Sequence, residues 1–67
     1  METITIDVDG KEYTGLVEIK GTRKLRFTVH YNDFAKSDHH DYAPNEKAYL
    51  MTTAKQVLWE MVTGRTI

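Results

Sequence analysis

The sequence contains no cysteine, a single proline and no long hydrophobic run among its 67 residues. Without cysteine the chain forms no disulfide bond, and the usual signature of an oxidising compartment is missing. No apolar stretch approaches the roughly 20 residues that cross a membrane. Residues 1–7 combine neither a basic start nor an unbroken apolar run, so they do not resemble a signal peptide. These absences predict an intracellular, cytoplasmic protein with no membrane partner.

An excess of one charge is also missing, because the formal net charge is −1. A general nucleic-acid binder normally carries a basic footprint, which this balance disfavours. A chain of about 60 residues buries only about 60% of its unfolded surface, so the core is thin. We expect residues 1–67 to form one small domain, and association into a homodimer is the favoured source of extra stability.

Residues 24–31 alternate polar and apolar side chains without interruption. This pattern is typical of a strand with one face on the core and the other in water. The strand is predicted to span residues 23–32, and its core-facing side chains are Leu25, Phe27, Val29 and Tyr31.

Two further strands are predicted over residues 2–8 and 11–20. Asp9 and Gly10 between them form the strongest short-range hairpin signal, because a type I′ turn needs positive φ at both central positions. The predicted pairs are Val8 with Lys11, Ile6 with Tyr13, Ile4 with Gly15 and Glu2 with Val17.

The connection to the third strand contains Gly21 and Thr22. A two-residue turn there would move every apolar side chain of the third strand to the wrong face. We therefore expect a three- or five-residue loop, or a bulge near Gly15. The predicted pairs are Ile19 with Leu25, Val17 with Phe27, Tyr13 with Tyr31, Glu18 with Arg26 and Thr14 with His30.

The C-terminal segment has helical periodicity and reaches a terminal glycine, Gly64, followed by Arg65. The sequence is consistent with two N-terminal boundaries for this helix. Asn45 caps a long helix from residue 46, or a Thr53–Gln56 capping box starts a short helix and residues 47–51 form a fourth strand. The lack of β-branched residues in 47–51 favours the long helix. The apolar stripe consists of Leu50, Met51, Ala54, Val57, Leu58, Met61 and Val62.

The predicted fold is therefore α+β. A three-stranded antiparallel β-meander is packed on one face by a C-terminal α-helix that ends near Thr63. A four-stranded sheet is the alternative.

Residues 32–45 show no periodicity, and connections of this length are often functional or disordered. We expect Phe34 and Tyr42 to fix this loop to the domain. Carboxylate and imidazole ligands suit first-row metals, but their spacing here matches no standard zinc pattern. A solvated loop with Asx-turns is favoured, and no metal or cofactor is predicted. The acidic and histidine side chains are Asp33, Asp38, His39, His40 and Asp41.

Four basic residues surround the second connection and offer contacts to phosphates: Lys20, Arg23, Lys24 and Arg26. Proteins that bind single strands also need aromatic side chains on the binding face. Here the aromatic residues of the sheet fall on the core face, so nucleic-acid binding is the second-ranked function.

Trp59 lies off the apolar stripe of the helix. Tryptophan is enriched in interface hot spots, which favours a partner-binding role. The alternative is that the loop over residues 34–42 folds over Trp59 and covers it.

No phosphate-binding glycine loop, nucleophile elbow or Cys/His pair is present, so we do not predict an enzyme. The expected function is binding of another protein, as a small regulator or inhibitor of the kind encoded by phage or accessory genes. An acidic loop favours a basic partner. The predicted partner-binding residues are Trp59, Asp33, Asp38, His39, His40, Asp41 and Tyr42.

Overall fold

The computed structural model describes residues 1–64 as one open antiparallel sheet with a helix on one face. The elements are β1 (Glu2–Val8), β2 (Lys11–Lys20), β3 (Arg26–Tyr31), β4 (Phe34–Ser37), a 3₁₀ turn (Pro44–Glu46) and α1 (Lys47–Thr63). The strand order is β1-β2-β3-β4, so each strand pairs with its neighbour in sequence. The predicted α+β meander with a C-terminal helix is confirmed, with four strands. Arg65, predicted to follow the helix, lies outside the described residues.

The first hairpin follows the prediction in every pair from Val8–Lys11 to Glu2–Val17. Asp9 has φ 53° and Gly10 has φ 82°, which are the left-handed values that a type I′ turn requires. The carboxylate of Asp7 accepts a hydrogen bond of 3.0 Å from the Gly10 N–H and closes the turn. Local turn chemistry therefore sets this register.

The connection between β2 and β3 has five residues, 21–25, because Lys20 pairs with Arg26. The prediction that a two-residue turn fails here is confirmed, and the five-residue alternative is adopted. The side chains keep the predicted parity, since Phe27 and Val29 are buried on the core face.

The individual pairs predicted between β2 and β3 are wrong by two residues. Leu25 pairs its backbone with Tyr42, at N···O distances of 2.7 and 2.9 Å, and so leaves the β2 ladder. β3 therefore begins at Arg26 rather than at residue 23. The observed partners are Leu16 with His30, Val17 with Val29, Glu18 with Thr28, Ile19 with Phe27 and Lys20 with Arg26.

The fourth strand lies where an irregular loop was predicted. β4 pairs with β3 from Tyr31–Phe34 to Thr28–Ser37, across a two-residue turn at Asn32 and Asp33. Asn32 has φ 54°, a conformation that asparagine adopts more readily than most residues. The alternative fourth strand at residues 47–51 is wrong, because these residues form the first turns of α1.

The long helix is confirmed, but Asn45 does not cap it. α1 begins at Lys47 after the 3₁₀ turn, where the Glu46 carboxylate accepts the Ala43 N–H at 2.8 Å. At the other end, Gly64 has φ 71° and donates its N–H to the Glu60 carbonyl at 2.8 Å. This is the left-handed glycine C-cap that the sequence predicted.

The core lies between α1 and the inner face of the sheet. A side chain at Gly15 would lie 3.0 Å from a Leu58 methyl group and from the His30 carbonyl oxygen. Gly15 therefore allows the helix to approach β2 closely. The buried residues are Ile4, Val17, Leu25, Phe27, Val29, Tyr42, Leu50, Ala54, Val57 and Leu58.

Replacing Gly21 by alanine should destabilise the fold strongly. Gly21 has φ 104°, and an added Cβ would lie 2.0 Å from the Lys24 carbonyl oxygen. Gly10→Ala is a matched control, because Gly10 also has positive φ but has no atom within 4 Å of the added Cβ. Left-handed strain alone costs about 1–2 kcal/mol, so Gly21→Ala should exceed Gly10→Ala in urea unfolding. Equal losses in the two variants would contradict the clash.

Candidate functional site

Tyr42 fixes the loop that follows β4 onto the core. Only 3% of Tyr42 is exposed, and its ring packs against Phe27, His40 and Tyr49 at centroid distances of 6.1, 4.7 and 5.8 Å. Its backbone bridges to Leu25. Tyr42 therefore anchors this loop to the core. Phe34, expected to share this anchoring role, is instead 69% exposed.

Asp38 organises the loop through its two carboxylate oxygens. Oδ1 accepts the backbone N–H of His40 at 3.2 Å, and Oδ2 accepts the Tyr42 hydroxyl at 3.1 Å. Burial raises the pKa of the Tyr42 hydroxyl above its ordinary value of 10.0, which already keeps the hydroxyl protonated at neutral pH. The expected Asx-type turn is thus present, and it is tied to the core by Tyr42.

Asp41 turns back to the basic connection between β2 and β3. Its carboxylate accepts a hydrogen bond from Arg26 Nε, and this bond lowers the Asp41 pKa. The positive charges of Arg26 and Lys24 lower the Asp41 pKa further. One carboxylate of the acidic loop is therefore paired with the basic residue that begins β3.

Glu18 contacts two basic side chains on the outer face of the sheet. It accepts a hydrogen bond from His30 Nε2 at 3.2 Å and lies 3.6 Å from Lys20 Nζ. The His30 hydrogen bond is the main reason that the pKa of Glu18 is lowered, and Lys20 adds to it. Lys20 and Arg26 thus each face a carboxylate, whereas Arg23 makes no ion pair with any of residues 1–64.

The three histidines lie in different surroundings. His40 packs edge-to-face on Tyr42, His30 bonds to Glu18, and His39 lines a shallow concavity beside Thr28 and Ser37. Among residues 1–64 no three His, Asp or Glu side chains converge as metal ligands. The contacts of this loop in the structure are hydrogen bonds, ring packing and one ion pair.

Trp59 lies at the other edge of the sheet. It is half-buried and lines a groove of about 390 Å³ between β1 and α1, with Ile6 and Asp7 on one side and Thr52, Lys55 and Gln56 on the other. The loop after β4 does not cover Trp59, because β4 and β1 are opposite edge strands. The predicted partner-binding residues therefore form two separate surfaces.

Two exposed apolar features were not predicted from the sequence. Phe34 and Met61 line a groove of about 310 Å³ next to β4. Leu16 is 43% exposed on the outer face of the sheet, where it lies opposite His30. The Asn-Asp pair after an alternating strand is the signal that would have located β4, and with it the exposure of Phe34.

Comparisons with protein-family models, curated proteins and solved structures find no match for this chain. Within residues 1–64, no helix combines the length and apolar character needed to cross a bilayer. Function must therefore be inferred from the surfaces themselves, since a fold alone does not imply one.

Tyr42→Phe tests the tie between the loop and the core. The variant keeps the ring but loses the hydroxyl that Asp38 accepts, so we expect about 1 kcal/mol lower unfolding free energy in urea. Tyr49→Phe is the control, because the Tyr49 ring also packs against Tyr42 but is largely exposed. Equal stability of wild type and Tyr42→Phe would show that this hydrogen bond contributes nothing.

The Asp41 carboxyl should titrate below its ordinary value of 3.8, as followed by carboxyl carbon NMR shifts. A lowered folded pKa means that the pair stabilises the fold above the unfolded pKa and that this contribution is lost as the pH falls through the folded pKa. In Arg26→Gln the Asp41 midpoint should rise. Glu18 is the internal control, since its hydrogen bond from His30 is untouched and its low pKa should persist.

Proposed function

We propose that this chain is a non-enzymatic, cytoplasmic interaction protein that binds another protein as a regulator or inhibitor. The proposed surface is the Asp-His segment, defined as residues 33–42. The observation that carries the proposal is that this segment is mostly exposed and is tied to the core by the hydrogen bonds of Asp38 and by the buried Tyr42.

A held loop is suited to binding because less conformational freedom is lost when a partner docks. All four residues of β4 are exposed, and the loop beyond them is tied by the backbone pairing of Leu25 with Tyr42. His39 is exposed, and the half-buried Asp38 lies beside it in the same concavity, so both are available at its rim. Tyr42 contributes as the buried support of this surface.

Phe34 supplies the anchor that such a surface needs. Its side chain is largely exposed and borders the groove that Met61 also lines. Aromatic residues that enter a partner's pocket commonly carry most of the binding free energy. We therefore add Phe34 to the partner-binding residues proposed from the sequence.

The charge of the segment favours a basic partner. Its three aspartates and one lysine give a formal charge of −2 when the histidines are neutral. Asp41 is paired with Arg26, and Lys36 is paired with Glu60 on α1 at 3.2 Å. Asp33, at the tip of the hairpin, has no ion pair with any of residues 1–64 and remains to steer a basic surface.

The non-enzymatic part of the proposal rests on burial. Apart from Tyr42, whose hydroxyl donates to Asp38, no residue with a polar or charged side chain is buried among residues 1–64. Catalytic groups usually converge in a pocket that excludes water, and the concavities here are shallow surface features.

Capture from a native cell extract, with and without nuclease, tests this proposal. We expect the tagged full chain to retain a protein after nuclease treatment. Phe34→Ala should weaken that binding by about 2 kcal/mol, or roughly 30-fold, if Phe34 is a hot spot. Leu16→Ala is the matched control, because it removes another exposed apolar side chain from a different face.

Two outcomes contradict the proposal. Capture that is lost on nuclease treatment and on Arg23→Gln would support the nucleic-acid alternative, in which Lys20, Arg23, Lys24 and Arg26 contact phosphates. Equal loss of binding in Phe34→Ala and Leu16→Ala, or no captured protein at all, would remove the Asp-His segment as the binding surface.

A further inference from the structure

The two edges of the sheet differ in how they are protected against pairing. β4 has only four residues and carries Lys36, and both features discourage addition of another strand. β1 has seven residues, with no lysine or proline, and its sequence ETITIDV is mostly β-branched. β1 is therefore the edge that can accept another strand.

The free backbone groups of β1 follow from its hairpin. Val8 and Lys11 flank the two-residue turn, so Val8 directs its carbonyl toward β2. Because the direction alternates along an antiparallel strand, Thr3, Thr5 and Asp7 direct their N–H and C=O groups away from β2. No strand within residues 1–64 pairs with that side of β1.

We propose that β1 pairs antiparallel with β1 of a second copy, around a two-fold axis at Thr5. This register uses all seven residues and sets Thr3 opposite Asp7, Ile4 opposite Ile6, and Thr5 opposite itself. A two-fold axis at Asp7 would oppose two carboxylates, which is unfavourable. Charge and overlap therefore select the same register, and the two four-stranded sheets become one sheet of eight strands.

The side-chain surfaces next to β1 fit the same two-fold. Pairing at Thr5 extends the row in which Thr5 and Thr14 hydroxyls already lie 3.2 Å apart. On the inner face, opposing Ile4 and Ile6 continues the apolar layer.

The Trp59 groove also lies on this inner side of β1, so the two-fold brings both grooves to one face of the joined sheet. Lys55 lines this groove from α1, whereas the side chain of Asp7 lies on the outer face of β1 with those of Thr3 and Thr5.

This inference uses the edge opposite the Asp-His segment, so it can fail while the proposed function stands, and the reverse also holds. The test is sedimentation velocity of the purified full chain across the micromolar range. We expect a dimer whose fraction rises with concentration. Trp59 is the chain's single tryptophan, so its emission should shift to shorter wavelength as the dimer forms.

Introducing a charge at Thr5 tests whether the two-fold axis lies at this residue. Thr5→Lys and Thr5→Glu each oppose like charges, which should raise the dissociation constant about fivefold, the equivalent of about 1 kcal/mol. An equimolar mixture of the two should associate better than either alone. Ala35→Lys and Ala35→Glu are the controls, because Ala35 occupies the corresponding outward position on β4 and should leave the dimer unchanged.

Three results would overturn the inference. In the first, the wild-type chain remains monomeric at every concentration. In the second, the Thr5 variants associate as tightly as wild type. In the third, the purified chain is monomeric and a different protein binds at β1 in a manner sensitive to Thr5→Lys, which would identify that protein as the occupant of the edge.

Discussion

The backbone pairing of Leu25 with Tyr42 is the constraint on which the rest of the structure depends. It removes Leu25 from the β2 ladder, and the five-residue connection and the start of β3 at Arg26 follow. It also carries Tyr42 into the core, where the Tyr42 ring reaches Tyr49 on α1. One pair of hydrogen bonds therefore sets a strand register, holds the loop and fixes its position relative to the helix.

Several charged side chains of this chain pair with one another. In the sequence, the aspartates after β3 and the cations around residues 20–26 look like two opposite surfaces. In the fold they meet, because the Tyr42 anchor brings Asp41 beside Arg26, while Glu18 lies between His30 and Lys20. Part of the charge of both regions is thus paired within the chain, while Asp33 and Arg23 have no ion pair with any of residues 1–64.

Much of the fold follows from local patterns. The parity of β3, the Asp9-Gly10 hairpin and the end of α1 at Gly64 each depend on neighbouring residues, and each was predictable. The β2–β3 pairs were not, because they depend on Leu25 meeting Tyr42 across a long stretch of chain. For the candidate site, the helical wheel placed Trp59 off the core stripe, but only the packing of α1 reveals that it lies beside β1 rather than under the loop. The two regions predicted as one surface are separate for the same reason.

The strict neighbour-to-neighbour order of the four strands has a kinetic consequence. Each hairpin closes a short stretch of chain, so little loop entropy is lost before hydrogen bonds form, and chains rich in local contacts fold quickly. The core within residues 1–64 has only ten buried residues, and a chain of this size has little stability to spare. Rapid refolding then limits the time for which the β-branched edge of β1 is exposed in an unfolded chain, where it would be most prone to aggregate.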